Sequence, residues 1–202
     1  MKKIFAYSIP LAIVVVLGSC GSNATTDAKK EADSVNTATI DSAKKADTIA
    51  SQNSHTADLK PDAQFATSAA DGGMLEVELG KLAVEKGTNP YIKKLGAMMV
   101  KDHSKANEEL KTAAAAKNIA LPSAMSDKCQ KKLGELTGKT GPDFDKAYAA
   151  LMVSDHKEDI DEFKKEADKG MDKELSAWAK GKVPVLEHHL SMAEEAKKAV
   201  NK

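Results

Sequence analysis

Three histidines in the second half of the chain have the residue type and spacing of a metal site. His103, His156 and His189 each lie near the middle of a different segment with helical periodicity. At 1.5 Å per residue, each falls about 20 to 25 Å from the start of a helix about 40 Å long. A mid-helix residue keeps its height in a bundle whichever way the helix runs, so the three imidazoles are expected in one layer. Imidazole nitrogens bind divalent transition metals, and such an ion is the candidate cofactor.

Four carboxylates accompany these histidines. Glu78 lies beside the apolar stripe of the first predicted helix and is the predicted fourth ligand. Asp102 and Asp155 each precede a histidine and, with Glu76, could accept hydrogen bonds that orient neighbouring imidazoles. The alternative is structural, because buried histidines often only satisfy backbone or carboxylate partners in a polar layer between helices.

The spacing around the histidines disfavours iron oxidation. Ferritin-like di-iron sites use a glutamate three residues before a histidine. The corresponding residues in this sequence are Val100, Val153 and Leu186. A glycine-rich phosphate loop, a nucleophile elbow and a Cys-x-x-Cys pair are also missing from the sequence. No catalytic residue is therefore predicted.

Four long amphipathic helices are predicted to carry the candidate residues, over residues 61–86, 90–117, 141–170 and 172 to near the end of the chain. Apolar residues recur in each at spacings of three and four. The connection between the second and third is predicted to contain a short helix, over residues 123–136, capped by Ser123. One long middle connection is typical of an all-α, ferritin-like four-helix bundle, and an up-down-up-down bundle is the alternative.

The N-terminus has the pattern of a lipoprotein export signal. Lys2 and Lys3 precede an apolar run that is too short for a comfortable membrane span and that ends at Leu17-Gly18-Ser19-Cys20. Residues 1–19 are therefore predicted to be a signal peptide, and Cys20 is predicted to carry the lipid that anchors the protein to a membrane. An ordinary secretory signal and an uncleaved anchor are the alternatives.

The segment after the lipid site is predicted to be a tether. Residues 20–60 are rich in small and polar residues and have too few large apolar residues for a core, so we expect them to be disordered. A flexible coil of about 40 residues would span roughly 35 Å. Residues 61–202 are predicted to form the folded domain. The protein is expected in the bacterial cell envelope, facing the periplasm and anchored to the outer membrane.

The charge of the chain argues against nucleic acid as a partner. Lys and Arg total 30, as do Asp and Glu, and every one of the basic residues is a lysine. Arginine is the usual bidentate partner of phosphates and guanine edges. A chain without arginine and without net positive charge is not expected to bind nucleic acid. A protein or other envelope partner stays unspecified.

Four segments resemble motifs of one bacterial family. They are Gly72-Gly73-Met74-Leu75-Glu76-Val77-Glu78-Leu79, Met99-Val100-Lys101-Asp102-His103, Met152-Val153-Ser154-Asp155-His156 and His189-Leu190-Ser191-Met192-Ala193. They are similar to the helices of the ferritin-like family called domain of unknown function 4142, whose members are described as outer-membrane or periplasmic proteins. The resemblance covers about residues 61–199. It implies a four-helix bundle in the cell envelope and no established activity.

Two functions are compatible with these observations. The first is a non-enzymatic envelope lipoprotein whose bundle binds a partner or contributes to stress tolerance. The second is a metal-binding or metal-dependent protein that uses His103, His156, His189 and Glu78. The distances between the three imidazoles distinguish them, because ligands of one ion must converge on a common point.

Overall fold

Six α-helices make up the part of the chain that the structure describes, residues 26–50 and 59–202, in which there are no strands. The structure is a computed structural model, and its helices are α1 (Ala28–Ala50), α2 (Lys60–Lys86), α3 (Pro90–Ala115), α4 (Asp127–Thr137), α5 (Gly141–Lys169) and α6 (Lys173–Val200). The predicted signal peptide and Cys20 lie outside the described residues. Among the described helices, none combines the length and the apolar character that crossing a membrane requires.

Side-chain caps fix where several helices begin. The Asn89 side chain accepts a hydrogen bond from the backbone N–H of Tyr91 at 2.9 Å, at the start of α3. Asp172 caps α6 by accepting from the N–H groups two and three residues later, at 3.0 and 2.9 Å. The short helix α4 begins later than predicted because Ser126, rather than Ser123, caps it. Each cap satisfies a donor that the first turn leaves unpaired.

Polar contacts at the two ends of the bundle fix the directions of the long helices. At one end, Asp62 near the start of α2 accepts a hydrogen bond from the backbone N–H of Asp172, and Lys117 after α3 pairs with the same Asp172 at 2.7 Å. At the other end, Asp145 near the start of α5 accepts from the N–H of Thr88, which follows α2. Helices α3 and α5 therefore run in the same direction, and their connection crosses the length of the bundle. This order confirms the ferritin-like topology and excludes the up-down-up-down alternative.

The core consists of two apolar clusters, one toward each end of the bundle. The larger cluster is built on Leu75, Leu79, Leu95, Met99, Phe144, Tyr148, Met152 and Ala193, among others. The smaller cluster contains Ala63, Ala66, Leu110, Ala114 and Leu175. Most of these side chains are less than 2% exposed, so burial of their apolar surface is the main force that holds the helices together.

Two glycines let α2 and α3 approach each other closely. A Cβ atom on Gly80 would lie 2.7 Å from the carbonyl oxygen of Gly96, and a Cβ atom on Gly96 would lie 2.7 Å from the carbonyl oxygen of Gly80. Backbone atoms cannot move aside as the end of a flexible side chain can. The backbones of α2 and α3 are therefore in direct contact at this point, and only glycine is small enough to permit this contact.

Helix α1 differs from the prediction of a disordered tether over residues 20–60. Its Asn36 side chain donates to the carbonyl of Ala120 at 2.9 Å and accepts from the N–H of the same residue at 2.7 Å. Its Asp33 accepts from the hydroxyl of Thr67 on α2, and Ala32 is buried. The sequence has few large apolar residues here, but alanine and lysine favour helix, and polar contacts dock α1 on α2 and on the α3–α4 connection.

Candidate functional site

The three histidines meet in the middle of the bundle, between the two apolar clusters. His103 on α3, His156 on α5 and His189 on α6 are 7, 0 and 1% exposed, and their ring centroids lie 5.2 to 5.7 Å apart. Helix α2 contributes Glu76, which is 3% exposed. We call these four residues the histidine layer. All four long helices therefore place one side chain in it.

Two of the rings are held by acceptors through Nδ1. His103 Nδ1 lies 2.8 Å from Glu76 Oε2. His156 Nδ1 lies 3.0 Å from the carbonyl oxygen of Met152, one turn earlier on α5. Because a carbonyl oxygen can only accept, the proton of a neutral His156 must lie on Nδ1, and its Nε2 then carries a lone pair.

The third ring is held through its other nitrogen. His189 Nε2 lies 3.1 Å from Asp102 Oδ2, so a proton on Nε2 would be donated to this carboxylate. His189 Nδ1 then carries a lone pair and lies 3.3 Å from His156 Nε2. The buried His103 Nε2 has no hydrogen-bond partner in the described part of the chain. One nitrogen of each of the three rings lies within 4.8 Å of one nitrogen of the other two.

The contacts of His156 and His189 need one more proton than two neutral imidazole rings carry. Their three contacts, with Met152, with each other and with Asp102, each need a proton between the two atoms. Two neutral imidazoles carry only two protons. The three contacts therefore need either a third proton or a cation between the two facing lone pairs.

Burial disfavours a cationic imidazole ring at this position. It lowers the pKa of His103 to about 4 and that of His189 to about 4. Burial also lowers the pKa of His156 to about 3, and the two neighbouring imidazoles lower it further. Near pH 7 all three rings are therefore neutral, which is the form that binds metal ions.

A second group of ionisable side chains adjoins the first. One atom each of Glu76, His156 and Asp159 lies within 4.8 Å of the other two. Burial raises the pKa of Glu76 to about 8, and repulsion from Asp155 contributes. Burial and the proximity of Glu76 raise the pKa of Asp159 well above its usual range. Without a cation, the fold therefore favours protonated carboxyl groups beside the histidines.

The structure places Glu76, and not Glu78, beside the histidines. Glu78 points away from the histidine layer, with 43% of its side chain exposed, and pairs with Lys81 at 2.6 Å. The buried face of α2 runs through Glu76, Leu79 and Ala83, at spacings of three and four. The glutamate beside the histidines is therefore Glu76, which lies on the same face as the buried apolar residues, and the predicted ligand Glu78 is too far out on the surface to join them.

The two aspartates that precede histidines have different partners. Asp102 contacts the imidazole of His189, with 3.1 Å between Oδ2 and Nε2. Asp155 is 8% exposed and pairs with Lys132 of α4 at 2.7 Å. Asp155 therefore belongs to the α4–α5 contact and not to the support of an imidazole.

Asp159 was not predicted. It lies three residues after His156 on α5, one helical turn away. The ferritin pattern has its carboxylate before the histidine, and the prediction followed that order. The His-x-x-Asp spacing was the available signal, because residues three apart share a helix face.

Comparison with known proteins identifies a family and gives no activity. No curated protein matches the chain. No solved structure matches it either. A family model described as Domain of unknown function (DUF4142) matches residues 46–196, which include the whole of the histidine layer and helices α2 to α5. The chain belongs to the DUF4142 family.

Proposed function

We propose that the protein binds a divalent transition-metal ion through His103, His156 and His189. The observation that carries this proposal is the arrangement of the six ring nitrogens. One nitrogen of each ring faces an acceptor, and the remaining three are left without one. Metal-binding histidines are oriented in this way, with the second ring N–H donated to a carboxylate or a carbonyl.

The spacing of the facing nitrogens also fits a metal ion. Two imidazole nitrogens on a tetrahedral zinc ion, each about 2.05 Å from the metal, lie about 3.3 Å apart. His156 Nε2 and His189 Nδ1 are 3.3 Å apart. A bound cation would replace the missing proton between them and would remove the repulsion of two lone pairs.

The ligand set restricts the metal. Three neutral imidazoles suit zinc, copper, nickel and divalent iron better than magnesium or calcium, which prefer oxygen ligands. Glu76 and Asp102 place two carboxyl groups behind the imidazoles, where negative charge would increase ligand basicity and balance the charge of the ion. Zinc and copper(II) are the ions that we expect to bind most tightly.

The alternative function is that of a bundle without a metal, tethered to the envelope, which binds a partner. In that case the histidine layer would only set the pairing of the helices. This alternative predicts that added metal leaves the folded protein unchanged. The two proposals share the lipid anchor at Cys20 and the location in the cell envelope, for which the sequence pattern at residues 1–20 is the support.

The test is calorimetric and thermal titration of the full chain with zinc in detergent, after removal of metal by a chelator. We expect one ion per chain and a melting temperature raised by about 5 to 10 °C when zinc is about 100 times its Kd. His189→Ala should abolish this increase, measured against its own metal-free protein. His188→Ala is the matched control, because His188 is the adjacent residue on α6 and is exposed. Equal responses of the two variants would refute the proposal.

A further inference from the structure

A cavity connects the histidine layer with the surface. It has a volume of about 160 Å³ and lies between α3 and α6, with Phe163 of α5 at its wall. His103 and His189 both line it, whereas His156 lies behind them and is fully buried. Val185, at 39% exposure, stands at the surface end. The cavity thus reaches two of the three proposed ligands from one side.

In the described part of the chain no carboxyl oxygen joins the group of three histidines, because Asp159 groups with Glu76 and His156 only, so one position of a tetrahedral ion is left free. The carboxyl of Glu76 is engaged by His103 Nδ1, and that of Asp102 by His189 Nε2. Glu78, the predicted fourth ligand, is on the surface. Three protein ligands with one position left for water or another molecule are typical of reactive zinc sites, whereas structural sites use four.

We infer that this fourth position accepts a small anion of a few heavy atoms, which enters through the cavity between α3 and α6. The inference rests on the proposed function. The three imidazoles bring no negative charge into direct contact with a divalent ion, and the carboxyl groups of Glu76 and Asp102 lie one ring further away, so an anionic ligand on the ion itself is favoured over a neutral one. The apolar wall formed by Ala106, Phe163, Val185 and Leu186 lowers the polarity around the ion and strengthens this attraction.

Charges at the cavity mouth do not by themselves select for anions. Lys105 and Lys182 line the cavity, but both pair with Glu109, and Asp102 adds a further negative charge. The ammonium of Lys182 also lies 5.8 Å from the centre of the Trp178 ring. The preference for an anion must therefore come from the metal ion, and the cavity contributes the size limit and the low polarity.

The experiment uses the full chain in detergent, loaded with cobalt(II), and sodium azide as the probe. The visible absorption of cobalt reports first that the ion is bound and then, through a further change, that azide coordinates it. Val185→Phe fills the cavity mouth. Val84→Phe is the matched control, because Val84 is similarly exposed, at 43%, but lies on α2, away from the cavity.

We expect azide to change the cobalt spectrum of the unmodified chain and of Val84→Phe alike. Val185→Phe should bind cobalt as well as the unmodified chain but bind azide at least about tenfold more weakly. Bound cobalt with a spectrum that azide leaves unchanged would overturn this inference and leave the metal site standing. Azide affinity that is equal in all three proteins would overturn the entry route. A chain that gives no spectrum of bound cobalt would overturn both the proposed function and this inference.

Discussion

At the scale of single residues, the histidine layer is shaped by the high cost of burying charge. Burial pushes its three imidazoles, and the carboxyl groups of Glu76 and the neighbouring Asp159, toward their neutral forms. A divalent ion would reverse this preference for the carboxyl groups, since positive charge favours their ionised form. The layer is therefore best described as a site whose protonation and metal occupancy are linked.

This description predicts how the stability of the metal-free protein changes with pH. The pKa of Glu76 rises from 4.5 to about 8 on folding, so the folded protein keeps a proton that the unfolded chain releases. The stability linked to this proton is present below about pH 4.5 and is lost as the pH rises through 8. Glu76→Gln cannot titrate at this position and should make the fall in the free energy of unfolding between about pH 6.5 and 8 less steep, measured by urea denaturation. Asp159 and Glu166, whose pKa values burial also raises, account for the remaining fall.

The control for this prediction is Glu78→Gln. Glu78 lies on the same helix, but its side chain is largely in solvent and pairs with Lys81. It should retain the pH dependence of the unmodified protein. The histidines do not affect the comparison, because both variants retain them and because their pKa values, about 3 to 4 in the folded state and 6.5 in the unfolded chain, place their effect on stability mainly below pH 6.5. A slope as steep in Glu76→Gln as in Glu78→Gln would show that Glu76 is ionised throughout.

The choice between these two glutamates shows what could be predicted from the sequence at this scale. The helical positions of His103, His156 and His189 were sufficient to place them in one layer, because height along a straight helix depends only on residue number. The direction of Glu76 depends on which face of α2 is buried. This face is wide because α1, α3, α4 and α5 all contact α2, and a single apolar stripe in the sequence does not reveal that.

At the scale of helices, the close approach of α2 and α3 at Gly80 should be a point of high sensitivity. Gly80→Ala would place a Cβ atom 2.7 Å from the backbone oxygen of Gly96, so we expect a loss of about 1 to 3 kcal/mol in the free energy of unfolding. Gly72→Ala is the control in the same helix, where an added Cβ atom meets nothing within 4 Å. It should stabilise by about 0.5 to 1 kcal/mol, because alanine favours helix.

Urea denaturation of both variants measures these changes in the free energy of unfolding. Opposite signs for the two substitutions are the expected result. A Gly80→Ala protein as stable as Gly72→Ala would mean that the two helix backbones can separate without cost, which contradicts the packing described above.

The long helices were predictable because each has a regular apolar stripe and clear caps, such as Asn89-Pro90 and Asp172. Helix α1 was not, because apart from Ile40, which packs on the smaller cluster, it is held by residues such as Asn36, Asp33 and Ala32, types that also dominate disordered segments. Its docking depends on partners more than 30 residues away along the chain, Thr67 and Ala120. Local composition cannot indicate such partners.

At the scale of the whole molecule, α1 changes the expected distance from the membrane. The carboxylate of Asp27, directly before α1, accepts a hydrogen bond from the backbone N–H of Asp127 at 2.9 Å. Seven residues, Cys20 to Thr26, precede Asp27. If Cys20 carries a lipid, as we propose, these residues can extend at most about 25 Å. The bundle would then be held closer to the bilayer than by a free tether of about 40 residues, which permits greater distances.

The anchor itself is tested by fractionation of cells that express cysteine variants. Cys20→Ala should move the protein from the membrane fraction to the soluble fraction or block its maturation. Cys129→Ala is the control, because Cys129 is a buried residue of α4 whose thiol donates a hydrogen bond to Asp71 of α2. It should stay with the membrane. Membrane retention and normal processing of Cys20→Ala would contradict the lipid anchor.

X-ray absorption at the zinc edge shows whether three histidines of this DUF4142 bundle hold a metal ion. The sample is the full chain with one equivalent of zinc. We expect three imidazole nitrogens at about 2.0 to 2.1 Å from the zinc ion, with the outer-shell scattering of imidazole rings, and one further light atom. A shell of oxygen atoms alone, without imidazole scattering, would contradict this expectation.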